Sequence, residues 1–128
     1  MPSDKITSVL IVDDYKTMLR IIRSLLKQID FHDVEEAYDG TEALEKLRDG
    51  NFGLVISDWY MQPMSGLELL QEIRRDIRFK SLPFIMVTAE SKTENVVAAK
   101  QAGVSSYIVK PFNAETLKEK IEKVLAHA

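Results

Sequence analysis

Short unbroken apolar runs alternate along this chain with longer stretches in which apolar residues recur at three- and four-residue steps. These two periods distinguish buried strands from amphipathic helices. The first run, Val9-Leu10-Ile11-Val12, ends in Asp13-Asp14 and is followed by a helical stripe of Met18, Ile22, Leu25, Leu26 and Ile29. A weaker strand is predicted near Val34 to Tyr38. Asp39-Gly40 then opens a second helix, with Glu42 in capping-box spacing from Asp39, Ala43, Leu44 and Leu47 on the apolar side, and Gly50 as the stop. The third run, Leu54-Val55-Ile56-Ser57, ends in Asp58. Beyond a loop containing Pro63, Ser65 and Glu68 form another capping pair before the stripe Leu67, Leu70, Ile73. The fourth run, Phe84 to Val87, ends in Thr88. Ser91 and Glu94 are expected to cap the next helix, and Gly103 to end it. The fifth run, Tyr107-Ile108-Val109, ends in Lys110-Pro111. A last helix starts near Asn113 and carries Leu117, Ile121, Val124 and Leu125.

This is a strand–helix unit repeated five times. Continuous apolar runs suit parallel strands buried on both faces, so the expected fold is α/β, a doubly wound five-stranded parallel sheet. With the flavodoxin-like order 2-1-3-4-5, which is borrowed from known sheets of this kind, the first and third strands flank the point where strand order reverses. Ligands bind there, beyond the carboxyl ends of the strands. Four of the five runs end in residues suited to phosphate or metal chemistry: Asp13-Asp14, Asp58, Thr88 and Lys110.

Three carboxylates would then crowd one pocket. Like charges about 4 Å apart repel by roughly 4 kcal/mol at an effective dielectric near 20. A hard divalent cation with oxygen ligands relieves that repulsion, and Mg²⁺, which keeps several waters and accepts phosphate oxygens, fits best. An aspartate carboxylate can act as a nucleophile toward phosphorus. An ammonium and a hydroxyl then meet the phosphoryl oxygens. Each residue also has an ordinary explanation: a helix cap for Asp13 or Asp14, a turn for Asp58, a β-branched strand end for Thr88, a solvated lysine for Lys110. Nothing structural requires all four to end four strands on one edge.

The 128 residues suit one domain of ordinary size, with 45% hydrophobic residues to form its core. The net charge of -3 argues against a nucleic-acid grip. The lack of cysteine excludes disulfides and thiolate zinc sites. Met1 to Ser8 has neither the basic start nor the apolar run of a signal peptide, and no apolar run is long enough for a bilayer. A cytoplasmic protein without membrane contact is expected.

With these residues in place, the chain resembles the receiver domain of bacterial response regulators, particularly the free-standing, CheY-like chemotaxis regulators. The likeness spans essentially the whole chain as a single receiver domain (1–128, core about 7–126). It rests on Leu10-Ile11-Val12-Asp13-Asp14, Ser57-Asp58-Trp59, Met64-Ser65-Gly66-Leu67-Glu68-Leu69-Leu70, Met86-Val87-Thr88-Ala89-Glu90 and Tyr107-Ile108-Val109-Lys110-Pro111-Phe112.

The resemblance implies a phosphorylation-activated switch of a two-component system, not an enzyme beyond its own phosphorylation and dephosphorylation. Asp58 matches the phosphoacceptor. Asp13, Asp14 and Asp58, with the backbone carbonyl of Tyr60, match the Mg²⁺ ligands, for which Mn²⁺ can substitute. Thr88 and Lys110 match the pair that contacts the phosphoryl group, and Tyr107 the aromatic residue that turns inward on activation. The Lys110-Pro111 peptide is expected to be cis. Tyr60, where the family often has asparagine, and Glu90 lie where attacking water approaches and would modulate rates. Gln62 replaces the family's usual proline, with Pro63 one place later, so an altered loop path is expected. The implied partners are a CheA-like histidine kinase, an output protein such as a flagellar motor switch protein, and a phosphatase, with the switch itself a monomer.

Other readings are an aspartyl-nucleophile phosphatase, a phosphorelay intermediate or phosphate sink, a flavin carrier and an unphosphorylated binding module. The phosphatase would need a carboxylate at position 60. The flavin carrier would need a phosphate loop in place of Asp-Asp-Tyr-Lys.

Overall fold

The apolar runs become the strands β1 (Val9–Val12), β2 (Val34–Ala37), β3 (Leu54–Asp58), β4 (Phe84–Thr88) and β5 (Ser106–Val109). Between and after them lie α1 (Lys16–Gln28), α2 (Gly40–Asp49), α3 (Gly66–Arg75), α4 (Thr93–Gln101) and α5 (Ala114–Ala126). In this computed structural model, residues 7–89 and 92–126 are described. All strand pairings are parallel, in the order β2-β1-β3-β4-β5. The fold class and strand order expected from the sequence are those observed.

Burial explains why the strands differed in legibility. Every residue of β1, β3 and β4 is buried, as central strands covered on both faces must be. The edge strand β2 buries only Val34 and Ala37 and turns Glu35 outward, which is why its apolar signal was weak. Alternate side chains feed two cores. Val9, Ile11, Ile56, Ile85 and Ile108 pack toward α1 and α5 with Ile22, Leu26 and Ile121. Leu10, Val12, Val55, Phe84 and Met86 pack on the opposite face with Leu47, Leu69, Leu70 and Ile73. Leu19 and Leu69, absent from the expected stripes, are fully buried.

Helix ends follow local chemistry. The Ser65–Glu68 capping box forms in both directions. At α2 half of the expected box forms: Asp39 accepts from the Glu42 N–H, while the Glu42 carboxylate reaches one residue further back, to the N–H of Tyr38. The N-cap of α4 is Lys92, which makes no side-chain cap hydrogen bond. Ser91 and Glu90 lie outside the described residues. Gly103 ends α4 with φ +92°, a conformation that favours glycine. Arg74 fixes that turn: its Nε donates to the Gly103 carbonyl at 2.9 Å and its Nη1 to the Leu82 carbonyl at 2.7 Å. Among the described residues no helix is long and apolar enough to cross a membrane.

Candidate functional site

Strand register assembles the site. Val12 pairs with Ser57, so the next residues, Asp13 and Asp58, end side by side on the two strands that flank the switch point. Asp58 pairs with Val87 and Thr88 with Val109, which places Thr88 and then Lys110 along the same edge. Asp13, Asp58 and Thr88 are buried, while Asp14 is exposed. The Lys110 ammonium stands 3.0 Å from Asp58 Oδ1 and 3.7 Å from Asp13 Oδ2. Lys110 N donates to the Thr88 carbonyl at 2.8 Å, which ties the two strand ends together. The Lys110-Pro111 peptide is cis, and so is Gln62-Pro63, in the loop that departs from the family pattern.

The carboxylates are unequally satisfied. Asp13 Oδ1 accepts from the Tyr15 N–H at 3.0 Å. Asp13 Oδ2 is buried with no hydrogen-bond partner. Burial pushes Asp13 up to about 6, and the carboxylate of Asp58 adds to the rise, while the Tyr15 N–H and Lys110 oppose it. One ligand atom from each of Asp13, Asp14 and Asp58 lies within 4.8 Å of the others. Oxygen ligands of an octahedral Mg²⁺ stand about 3–4 Å apart, given bonds of about 2.1 Å. Three hard oxygen donors, one of them buried and unsatisfied, fit such an ion if the exposed Asp14 binds through water.

The backbone that carries Asp58 is held from two sides. The Ser57 hydroxyl donates to the Asp58 carbonyl at 2.9 Å, and the Gly66 N–H donates to the Trp59 carbonyl at 2.7 Å. A Cβ on Gly66 would lie 2.1 Å from the Asp58 carbonyl oxygen, so only glycine lets α3 begin this close to the site. After Asp58, the buried Trp59 ring meets both Tyr60 and Tyr107, each at 6.3 Å between centroids, the Tyr60 ring tilted at 39° and the Tyr107 ring edge-on at 70°. Tyr60 is 55% exposed.

Residues 9–122 match the response regulator receiver domain family. The chain belongs to that family. It is 53% identical over 116 residues to the chemotaxis protein CheY of Pseudomonas aeruginosa, covering 91% of this chain and 94% of that protein. It is 50% identical over 121 residues to CheY-3 of Vibrio cholerae, covering 94% and 93%. Among solved structures, V. cholerae CheY4 superposes with a TM-score of 0.87 at 34% identity, over 93% of this chain and 98% of that one. As a CheY-like receiver, the chain is a phosphorylation-activated response regulator of two-component signalling. Receivers of this kind are signalling domains and not classical enzymes.

Receiver domains bind Mg²⁺ at an acidic site, and this receiver has such a cluster in Asp13, Asp14 and Asp58. Asp13, Asp14, Asp58, Thr88 and Lys110, named from the sequence, are brought to one edge of the sheet. Tyr107 lies on β5 with its ring against Trp59, and Glu90 falls outside the described residues. Ser57 and Gly66 stand in the family motifs without a role read from the sequence, and Asn95 was not singled out. A Ser-Gly pair before a leucine-rich run signals only a helix start, and nothing in its spacing says which carbonyl the glycine approaches.

Proposed function

We propose that Asp58 is the phosphoacceptor of a single-domain receiver that takes its phosphoryl group from a CheA-like histidine kinase. The observation that carries this reading is the pairing of Asp58 Oδ1 with the Lys110 ammonium at 3.0 Å beside the unsatisfied Asp13 carboxylate. An Asp58 oxygen attacks phosphorus, an acyl–phosphate O–P bond forms, and the P–N bond to the donor imidazole breaks. Asp13 and Asp14, with the Tyr60 carbonyl, would hold Mg²⁺ (or Mn²⁺), which when bound offsets negative charge on the phosphoryl oxygens. Lys110 sits close enough to move its charge from the Asp58 carboxylate to the phosphoryl group. Thr88, buried one residue beyond the Asp58–Val87 pair, supplies a hydroxyl donor. Thr88 shares a strand face with Met86, which pairs with Tyr107, so its movement toward the phosphoryl group is felt at Tyr107.

The output is a changed surface on α4, β5 and α5 that binds a cytoplasmic protein. The chemotaxis names of the curated relatives support a role in chemotaxis, for which we take a flagellar motor switch protein as the target and a phosphatase as the off-signal. An aspartyl-nucleophile phosphatase lacks support, since the position that would hold its second carboxylate is Tyr60. Phos-tag electrophoresis after incubation with acetyl phosphate or a panel of phosphorylated histidine kinases tests the proposal. A shifted band that needs Mg²⁺ and is lost in Asp58→Asn is expected. No shift with any donor would overturn it in favour of an unphosphorylated binding module.

A further inference from the structure

We infer that the Tyr60 hydroxyl is a latch on α4: with Asn95 it holds the first turn of that helix against the loop following Asp58, and its opening frees the N-terminal part of α4 to move while the Gly103 end stays fixed. The contact is specific to these side chains, with Asn95 Nδ2 donating to the Tyr60 hydroxyl at 3.4 Å.

The two ends of α4 are held by different side-chain contacts. At the C-terminal end Ala102 N donates to Ala98 O, Gly103 N to Lys100 O and Val104 N to Ala99 O, all at 3.0 Å, and Arg74 clamps the Gly103 carbonyl. At the N-terminal end Asn95 N and Val96 N donate to the Lys92 carbonyl, each at 3.1 Å, and α4 has no side-chain cap hydrogen bond of the kind Asp39 and Ser65 give α2 and α3. Between the ends only Ala99 is buried, and Val97 is 45% exposed. A helix whose core contacts, Ala98 and Ala99, gather toward its C-terminus resists swinging at its N-terminus chiefly through contacts made there. Asn95, in the first turn, makes one of them.

The other half of the latch is set by the site. Tyr60 follows Asp58 by two residues, and its ring rests on Trp59, which in turn meets Tyr107. A shift of the loop after Asp58 therefore pulls on α4 through Asn95 and on β5 through Trp59. Net hydrogen-bond contributions bias a local equilibrium by about two- to tenfold, enough to favour the resting state and small enough to be overridden. The latch itself is independent of the phosphoacceptor proposal; only its opening by phosphorylation rests on that reading.

Amide hydrogen exchange measured by NMR on the whole chain tests it, using Tyr60→Phe, Asn95→Ala and the double variant. Exchange at residues 93–98 should rise about two- to tenfold in each single variant and no further in the double, with α1 unchanged. Unchanged exchange in Tyr60→Phe, or effects that add in the double variant, would overturn the latch. Beryllofluoride with Mg²⁺ is then added to the wild type. Faster exchange of α4 shows that the site opens the latch. A wild type that ignores beryllofluoride while Tyr60→Phe still loosens α4 supports the latch and counts against the phosphoacceptor reading alone.

Discussion

At Asp13 one carboxylate oxygen takes the Tyr15 N–H and the other is buried with none, and this asymmetry has a measurable sign. The folded-state value is about 6 against an ordinary 3.8, so the fold holds the proton more tightly than the unfolded chain does. The stability this provides is complete below about pH 4 and lost as pH rises through 6, on the order of 3 kcal/mol for a shift of about two units. The metal-free protein should therefore lose stability between pH 4 and 6.5 through this group. Added Mg²⁺ should raise the Tm more at pH 7.5 than at pH 5, because the proton competes for the ligand. Asp13→Asn should stabilise the metal-free fold at pH 7.5 by ~1–3 kcal/mol and abolish the Mg²⁺ response; thermal denaturation with and without Mg²⁺ checks both. A variant no more stable than the wild type would mean that the carboxylate is better solvated than its burial implies. At Tyr60, the exposed ring beside the site should screen the phosphoryl group from water. Tyr60→Asn is expected to change the dephosphorylation rate, read as the decay of the Phos-tag band, and an unchanged half-life would remove that role.

The junction between β3 and α3 shows how elements set the site's precision. Gly66→Ala would drive a methyl into the Asp58 carbonyl, and the backbone that carries the nucleophile would have to move. A loss of ~2–3 kcal/mol is expected in urea denaturation, together with slower phosphorylation. Ser65→Ala removes only a cap and should cost about 1 kcal/mol with little effect on phosphorylation. Equal effects from the two substitutions would mean that Gly66 matters to the helix and not to Asp58. At this scale the sequence was most informative where burial is two-sided. β1, β3 and β4 are unbroken apolar runs because both faces are covered, and their polar terminators stood out for the same reason. Parallel register then aligned Asp13, Asp58, Thr88 and Lys110 with no further information. The edge strand β2 and the sparsely buried α4 were harder to read, since few of their positions are constrained by packing. The approach of Gly66 to Asp58, the Tyr60–Asn95 contact and the cis Gln62-Pro63 peptide were not legible, because each depends on where two separate segments meet in space.

Across the whole molecule, the sheet gathers charge at one edge and the helices give the response somewhere to go. The acidic cluster and Lys110 sit above the switch point, while Tyr107 and α4 lie toward the β5 edge, joined to Asp58 through Trp59 and Tyr60. Charge added at Asp58 should therefore be felt on the α4–β5–α5 surface. Beryllofluoride with Mg²⁺ should move NMR resonances from α4 through β5 and leave the centre of α1 largely in place. The central claim is that Asp58 carries the phosphoryl group, and it is tested most directly by borohydride trapping. After phosphorylation by a donor kinase with Mg²⁺, reduction of an aspartyl phosphate converts that residue to homoserine, which mass spectrometry of the digested protein locates. Homoserine at position 58, absent without Mg²⁺, is the predicted result. Homoserine at Asp13 or Asp14 instead, or a phosphorylated protein with residue 58 intact, would contradict it.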